Sequence, residues 1–243
     1  MITLSILVGS ALLLVVLTLW KRRSPARLRT IPAFTRLVHT LGLSIEDGKR
    51  LHISLGHGNL LDGHGGSALA GLATLRTITE RTSVSDMPSV ASAGDPTLGL
   101  LTQDTTHAGY KAAAVEEMYN PTAGRVTGLT PFSYAAGAMH ITANENVSTN
   151  ILVGHFGPEA ALLADAAERS HATTIGASDN ITGQAVLFAG SQEALIGEEL
   201  FAAGAYLGND ASHAASLTVQ DILRWLAVLV MVGGAIGKFI GAF

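Results

Sequence analysis

Three side chains able to ligate a metal ion or orient a polar ligand fall in one glycine-rich stretch, His57, Asp62 and His64 within LGHGNLLDGHGG, residues 55–66. Neutral imidazoles and a carboxylate suit zinc or another divalent cation, and the five glycines of the stretch let backbone come close to a bound group. The spacing His-x4-Asp-x-His matches no established metal motif. The stretch is not a phosphate loop either, because the Lys-Ser/Thr ending is missing and GxGxxG cannot be read in register. The same residues are also readable as a structural loop, its glycines at positive φ and its histidines exposed or set against a neighbouring subunit.

A second group, Gly154-His155-Phe156-Gly157-Pro158-Glu159, closes an expected strand. In open α/β sheets ligands sit beyond the carboxyl ends of strands, where helix N-termini offer free N–H groups. This loop and Gly94-Asp95-Pro96 are therefore the expected walls of a cleft. Each places a proline and an acid there, which works against an anion site and fits a capped helix without a ligand. There is no cysteine and no GxSxG elbow, and no serine neighbours a histidine in a recognised nucleophilic pattern. The remaining histidines of the nine are scattered between His39 and His213. The candidate ligands are thus His57, Asp62, His64 and His155; the residues name neither a cofactor nor a catalytic group.

Strands and helices alternate along the chain that must position these groups. Strands are expected at 52–55, 88–93, 150–155, 173–177 and 185–189, with weaker strand patterns at 125–130 and 135–144. Helices are expected at 67–82 with Ser67 as N-cap, after Asp95-Pro96, over 160–170, and from Ser191 to Leu207. In the second of these, Leu98, Leu101, Ala108, Ala112 and Val115 are expected to line the buried face, opposite a solvated stripe of Asp104, His107 and Lys111. Glycine punctuation without proline-rich linkers predicts a single α/β domain containing a right-handed strand-helix-strand unit.

Both ends of the chain are apolar. Residues 2–20 carry no charge and are long enough to span ~30 Å of hydrocarbon at ~1.5 Å per residue. Trp20 and Lys21-Arg22-Arg23 follow, and only Met1 precedes, so the pattern is that of an uncleaved anchor rather than a signal peptide. Residues 222–243 form the second expected span, with Arg224, Trp225 and Lys238 near its ends. Gly233, Gly237 and Gly241 recur every fourth residue there, a helix-packing seam that would meet the first anchor or a second copy. Residues 216–225 are expected to feed into this span without a break.

The whole chain has 15 basic and 19 acidic residues, a formal charge of -4, and only 14% charged residues. Six of the basic residues and no acid lie in 21–36, a juxtamembrane collar that the positive-inside rule places in the cytoplasm. The 185 residues 37–221 hold all 19 acids, which makes the expected cytoplasmic α/β domain acidic. That charge, with few aromatic residues for stacking, excludes a nucleic-acid coat or single-strand platform. The absence of cysteine excludes a disulfide scaffold. The two sequons, Asn146-Val147-Ser148 and Asn180-Ile181-Thr182, are silent in a cytoplasmic domain.

The order of SLGHGNLLDGHGGSALAGLATL, GDPTLGLLTQD, SYAAGAM, ILVGHFGPEAALL and LTVQDILRW resembles a family of uncharacterised bacterial membrane proteins, classed only as a domain of unknown function. The resemblance covers most of the chain. It implies a bacterial inner-membrane protein with two terminal transmembrane helices flanking a cytoplasmic α/β domain, and it brings no catalytic residues. The abundance of Ala and Gly on the expected helices points first to a membrane-anchored scaffold that forms a homo-oligomer, with the lipid bilayer as its other partner. The competing expectation is a membrane-anchored enzyme that binds a small ligand or a metal at the glycine- and histidine-rich turn.

Overall fold

The computed structural model describes residues 2–23, 28–208 and 211–239. It separates into two compact units, Arg29–Gly208, and a helical unit drawn from Met1–Leu28 with Asn209–Phe243.

Arg29–Gly208 is an α/β unit around one parallel sheet of β1 (Arg50–Gly56), β2 (Val90–Ala93), β3 (Gly124–Val126), β4 (Val147–His155), β5 (Thr173–Ser178) and β6 (Glu193–Leu195). The strand order is β3-β2-β1-β4-β5-β6, all pairs parallel. The connecting helices are α2 (Pro32–Glu46), α3 (Gly65–Thr82), α4 (Pro96–Ala112), α5 (Pro131–Asn144), α6 (Ala160–Arg169), α7 (Ile181–Gly190) and α8 (Glu199–Leu207). α3 packs with α4 and α8, and α6 packs between α5 and α7, giving the two helical layers of a doubly wound sheet. Strand order reverses between β1 and β4, so a crevice is expected at their carboxyl ends.

The central strands are buried on both faces, as parallel strands beneath two helical layers must be. On the α5–α7 side, Tyr134, Leu152, Phe156, Leu163 and Leu187 form one apolar cluster. Beneath it the core is polar and paired. His52 is fully buried, with Nδ1 2.9 Å from Asn150 Oδ1 and Nε2 2.9 Å from Ser92 Oγ. Burial pushes its pKa down to about 4, so the ring is neutral at physiological pH. The Tyr134 hydroxyl joins the same network, 2.5 Å from Ser54 Oγ and accepting from Gly56 N at 3.1 Å.

Several expected elements differ. Residues 135–144 are not a strand but part of α5, which Pro131 and a reciprocal Thr130–Ser133 capping box start. Residues 185–189 lie in α7, capped by Asn180 accepting from Thr182 N. The helix expected from Ser191 is divided into β6 and α8, and Ser191 instead ends α7, its Oγ donating to Leu187 O. Ser67 is not the cap of α3: His64 holds that place, and Ser67 Oγ donates to His64 O. In α4, with Asp95 capping and Pro96 in the first turn as expected, the buried stripe is Leu98, Thr102, Thr106, Gly109 and Tyr110. Threonine takes the inward positions because each hydroxyl returns to the helix, Thr102 to Leu98 O and Thr106 to Thr102 O, both at 2.7 Å. Arg29 and Arg36, expected in the basic collar, belong to the α/β unit, where Arg29 pairs with Glu199 at 2.5 Å and Arg36 with Glu193 at 3.3 Å.

The helical unit contains α1 (Ile2–Arg23) and α9 (Ala211–Phe239), packed antiparallel through Leu17, Ala215 and Val219, with Leu13, Leu14 and Leu223 beside them. Lys21 Nζ ties the pair, donating to Ala214 O at 2.9 Å and Thr218 Oγ1 at 2.5 Å. Within α9, Ala211–Ile236 is the one helix among the described residues that is long and apolar enough to cross a membrane. Among the described residues no N-terminal span is found, so the span expected at residues 2–20 is not shown, and α1 ends in Lys21-Arg22-Arg23.

Candidate functional site

The carboxyl ends of β1, β4 and β5 converge because glycine allows them to. Gly56 ends β1 at φ +72°, where a Cβ would stand 2.2 Å from His155 O. Gly154, at φ +154°, returns the approach, since a Cβ there would meet Leu55 O at 2.1 Å. His57 N then donates to His155 O at 3.1 Å, which sets the first residue of the glycine-rich turn beside the last residue of β4.

The next strand supplies the group that joins them. Asp179, directly after β5, accepts from His155 Nδ1 through Oδ1 at 2.6 Å and from His64 Nδ1 through Oδ2 at 3.0 Å. The two imidazoles lie over one another, ring centres 3.6 Å apart at 33°. Burial raises the Asp179 pKa, but hydrogen bonds from His155, Ser67 and His64 outweigh it and hold the carboxyl below its ordinary value. His155 is largely buried and His64 is the exposed lip of the group.

A second imidazole–carboxylate pair adjoins the first. The His57 ring stands edge-on to His155 with centres 5.0 Å apart, and its Nδ1 is 3.2 Å from Glu159 Oε1. That is ion-pair range but off the line of a hydrogen bond, so the buried Nδ1 has no hydrogen-bond partner among the described residues. Glu159 is 1% exposed and accepts from Gly157 N at 2.6 Å. Burial works to raise its pKa, and the contacts from His57 and the backbone N–H groups bring it below the ordinary carboxylate value.

Of the four ligands expected from sequence, His57, His64 and His155 meet here and Asp62 does not. Asp62 is exposed, and its Oδ1 accepts from His64 N at 2.8 Å, so it shapes the turn that presents His64. The Gly94-Asp95 wall is present, since a Cβ on Gly94 would meet His57 Cβ at 2.8 Å. Asp95 itself is engaged, accepting from Leu98 N at 3.0 Å and Asn59 Nδ2 at 3.3 Å. Sequence reasoning missed Asp179 and took Glu159 only as a helix start. The signal for Asp179 was its place immediately after the strand at 173–178, the same carboxyl-end position that marked His155.

His64, His155 and Asp179 each offer one ligand atom, and these atoms lie within 4.8 Å of one another. Bonds of ~2.1 Å in a tetrahedral zinc site separate neighbouring ligands by about 3.4 Å, so closing the triad on an ion would require Asp179 to give up an N–H bond that it accepts from the imidazoles. Of the expected glycine seam in α9, a Cβ on Gly233 would meet nothing within 4 Å; Gly237 lies in the same helix, and Gly241 falls outside the described residues.

No curated protein and no solved structure matches the chain. A family model matches residues 1–243, the full length, and by it the chain belongs to the family described as Domain of unknown function (DUF6754).

Proposed function

We propose that the chain is a membrane-anchored protein whose α/β unit binds a divalent transition metal ion through His64, His155 and Asp179, in the manner of an enzyme site. The observation that carries this reading is the triad itself: two imidazoles and a carboxylate, from three segments of which the outer two lie 115 residues apart in sequence, with ligand atoms within 4.8 Å. Two nitrogen donors and one oxygen donor suit zinc or iron(II) and leave a coordination position open. The site lies where the strand order reverses, the place where open α/β sheets bind ligands. The test is metal analysis of full-length protein purified in detergent without chelator. About one zinc or iron per chain, lost in a His64→Ala/His155→Ala variant that remains folded, supports the reading; a folded, metal-free protein that takes up none overturns it.

The anchoring half of the proposal places α1 and α9 as two spans in a bacterial inner membrane, with the α/β unit in the cytoplasm. It is supported by the apolar length of α9, the charge-free run 2–20 and the basic Lys21-Arg22-Arg23 that follows.

A second reading, self-association into a homo-oligomer through α9, is favoured by Gly233 and Gly234. A Cβ added at either glycine would meet nothing within 4 Å among the described residues outside its own stretch of helix, so a partner helix could approach that backbone. Light scattering in mild detergent tests it: an oligomer that Gly233→Leu dissociates is the expected result, and a wild-type monomer contradicts it.

A further inference from the structure

The strand order β3-β2-β1-β4-β5-β6 is that of the doubly wound sheets that bind dinucleotides. Such sheets use a glycine after β1 whose bare face lets the pyrophosphate approach, a helix N-terminus directly beyond it that receives the phosphates, and an acid that holds the ribose. Counterparts of all these features occur in this chain, and each is taken up by another part of the same chain.

Gly58 is the second glycine of the turn after β1, in the place that gives a pyrophosphate its approach. A Cβ there would stand 2.8 Å from His155 Cβ and 3.3 Å from His64 Cβ, so the stems of two imidazoles fill the face that a ligand would use. α3 starts at Gly65, beyond residues 57–64, rather than directly after the turn. His64 stands at its cap position, and the 3.0 Å contact of His64 Nδ1 with Asp179 Oδ2 sets a carboxylate of the chain itself beside that helix end. The remaining donor of the pair, His155 Nδ1, is held by Asp179 Oδ1 at 2.6 Å. Asp95, the acid beyond β2, has both oxygens engaged, by Leu98 N at 3.0 Å and by Asn59 Nδ2 at 3.3 Å, so it ties the turn to α4 in place of a ribose. Only the packing role of glycine in such units is kept: a Cβ on Gly71 would meet Val153 O at 2.7 Å and Leu55 Cδ2 at 2.9 Å, where α3 lies against β1 and β4.

From these contacts we infer that the nucleotide seat of this sheet is filled from within by His64, His155 and Asp179, and that the crevice takes neither a dinucleotide nor a mononucleotide by its phosphates. The inference concerns the metal-free chain and stands or falls apart from the metal reading. Thermal unfolding of the full-length protein in detergent with EDTA, followed by circular dichroism, tests it. NAD, NADP and ADP, each at about 1 mM, are expected to leave Tm unchanged, whereas a ligand at about a hundredfold its Kd would raise it by about 5 °C or more. Gly58→Ala should lower Tm by about 4 °C or more with no ligand present, because the two Cβ atoms it meets are fixed by their backbones. Gly63→Ala, in the same turn, is the control: a Cβ there meets nothing within 4 Å, and Tm should move by about 1 °C or less. A rise in wild-type Tm with any of the three nucleotides, a Gly58→Ala variant as stable as wild type, or equal losses from Gly58→Ala and Gly63→Ala would each overturn the inference.

Discussion

Asp179 Oδ1 and His155 Nδ1 stand 2.6 Å apart at the ends of neighbouring parallel strands, and this contact fixes the imidazole over that of His64. Asp62, by contrast, touches the group only through the backbone N–H of His64. The two carboxylates should therefore separate cleanly. Asp179→Ala should weaken zinc binding by more than the ~10–100-fold that loss of an outer-shell partner costs, and Asp62→Ala should change it by about threefold or less. Competition titration with a zinc chelator measures both.

Gly56 is where β1 yields to β4. An alanine there must hold φ near +72° and place its Cβ 2.2 Å from a backbone oxygen, which no side-chain rotation relieves. Gly56→Ala should cost about 3–5 kcal/mol, measured by denaturant unfolding, and should displace His57 and His155 together. A variant of wild-type stability would show that the two strands do not converge as described.

His52 gives the α/β unit a pH dependence. Its pKa is near 6.5 in the unfolded chain and about 4 in the fold, so between those values the unfolded state binds more protons. Stability is complete above about pH 6.5 and falls as pH drops toward about 4, by about 3 kcal/mol in all. Glu145, Glu159 and Asp179 also have lowered pKa values, and their contribution is lost at more acid pH, as each protonates in the fold. The difference between wild type and His52→Gln across pH 4–7 isolates the histidine. The glutamine variant should show the shallower slope; parallel curves would mean that His52 is not buried neutral.

Much of this fold is legible from local chemistry. Asp95-Pro96 writes the start of α4 into two residues, and the apolar run 150–155 writes β4, because caps and buried strands depend on adjacent residue types. α5 and α7 are less legible. The runs AAGAMHIT and AVLFA fit strand and helix alike, and the choice is made by the caps at Thr130 and Asn180. The site is half legible for the same reason. His57, His64 and His155 announce themselves by residue type beside glycine, whereas Asp179 follows a strand without glycine punctuation, and its role comes from the pairing of β4 with β5. No spacing rule links residues 64 and 179.

Anchoring is tested apart from the site. Full-length protein should remain with the membrane pellet through alkaline carbonate, and deletion of Ala211–Phe239 should release part of it or destabilise the pair that Lys21 closes. A reporter fused within the α/β unit should respond as a cytoplasmic one. Complete release of the intact chain by carbonate would contradict both spans.

The most direct measurement is the zinc content and zinc affinity of the full-length protein beside its folded His64→Ala/His155→Ala variant. About one ion per wild-type chain, and none in the variant, is the predicted result. A wild-type chain that binds no zinc or iron, or a variant that binds as tightly as wild type, would contradict the assignment of the triad as a metal site.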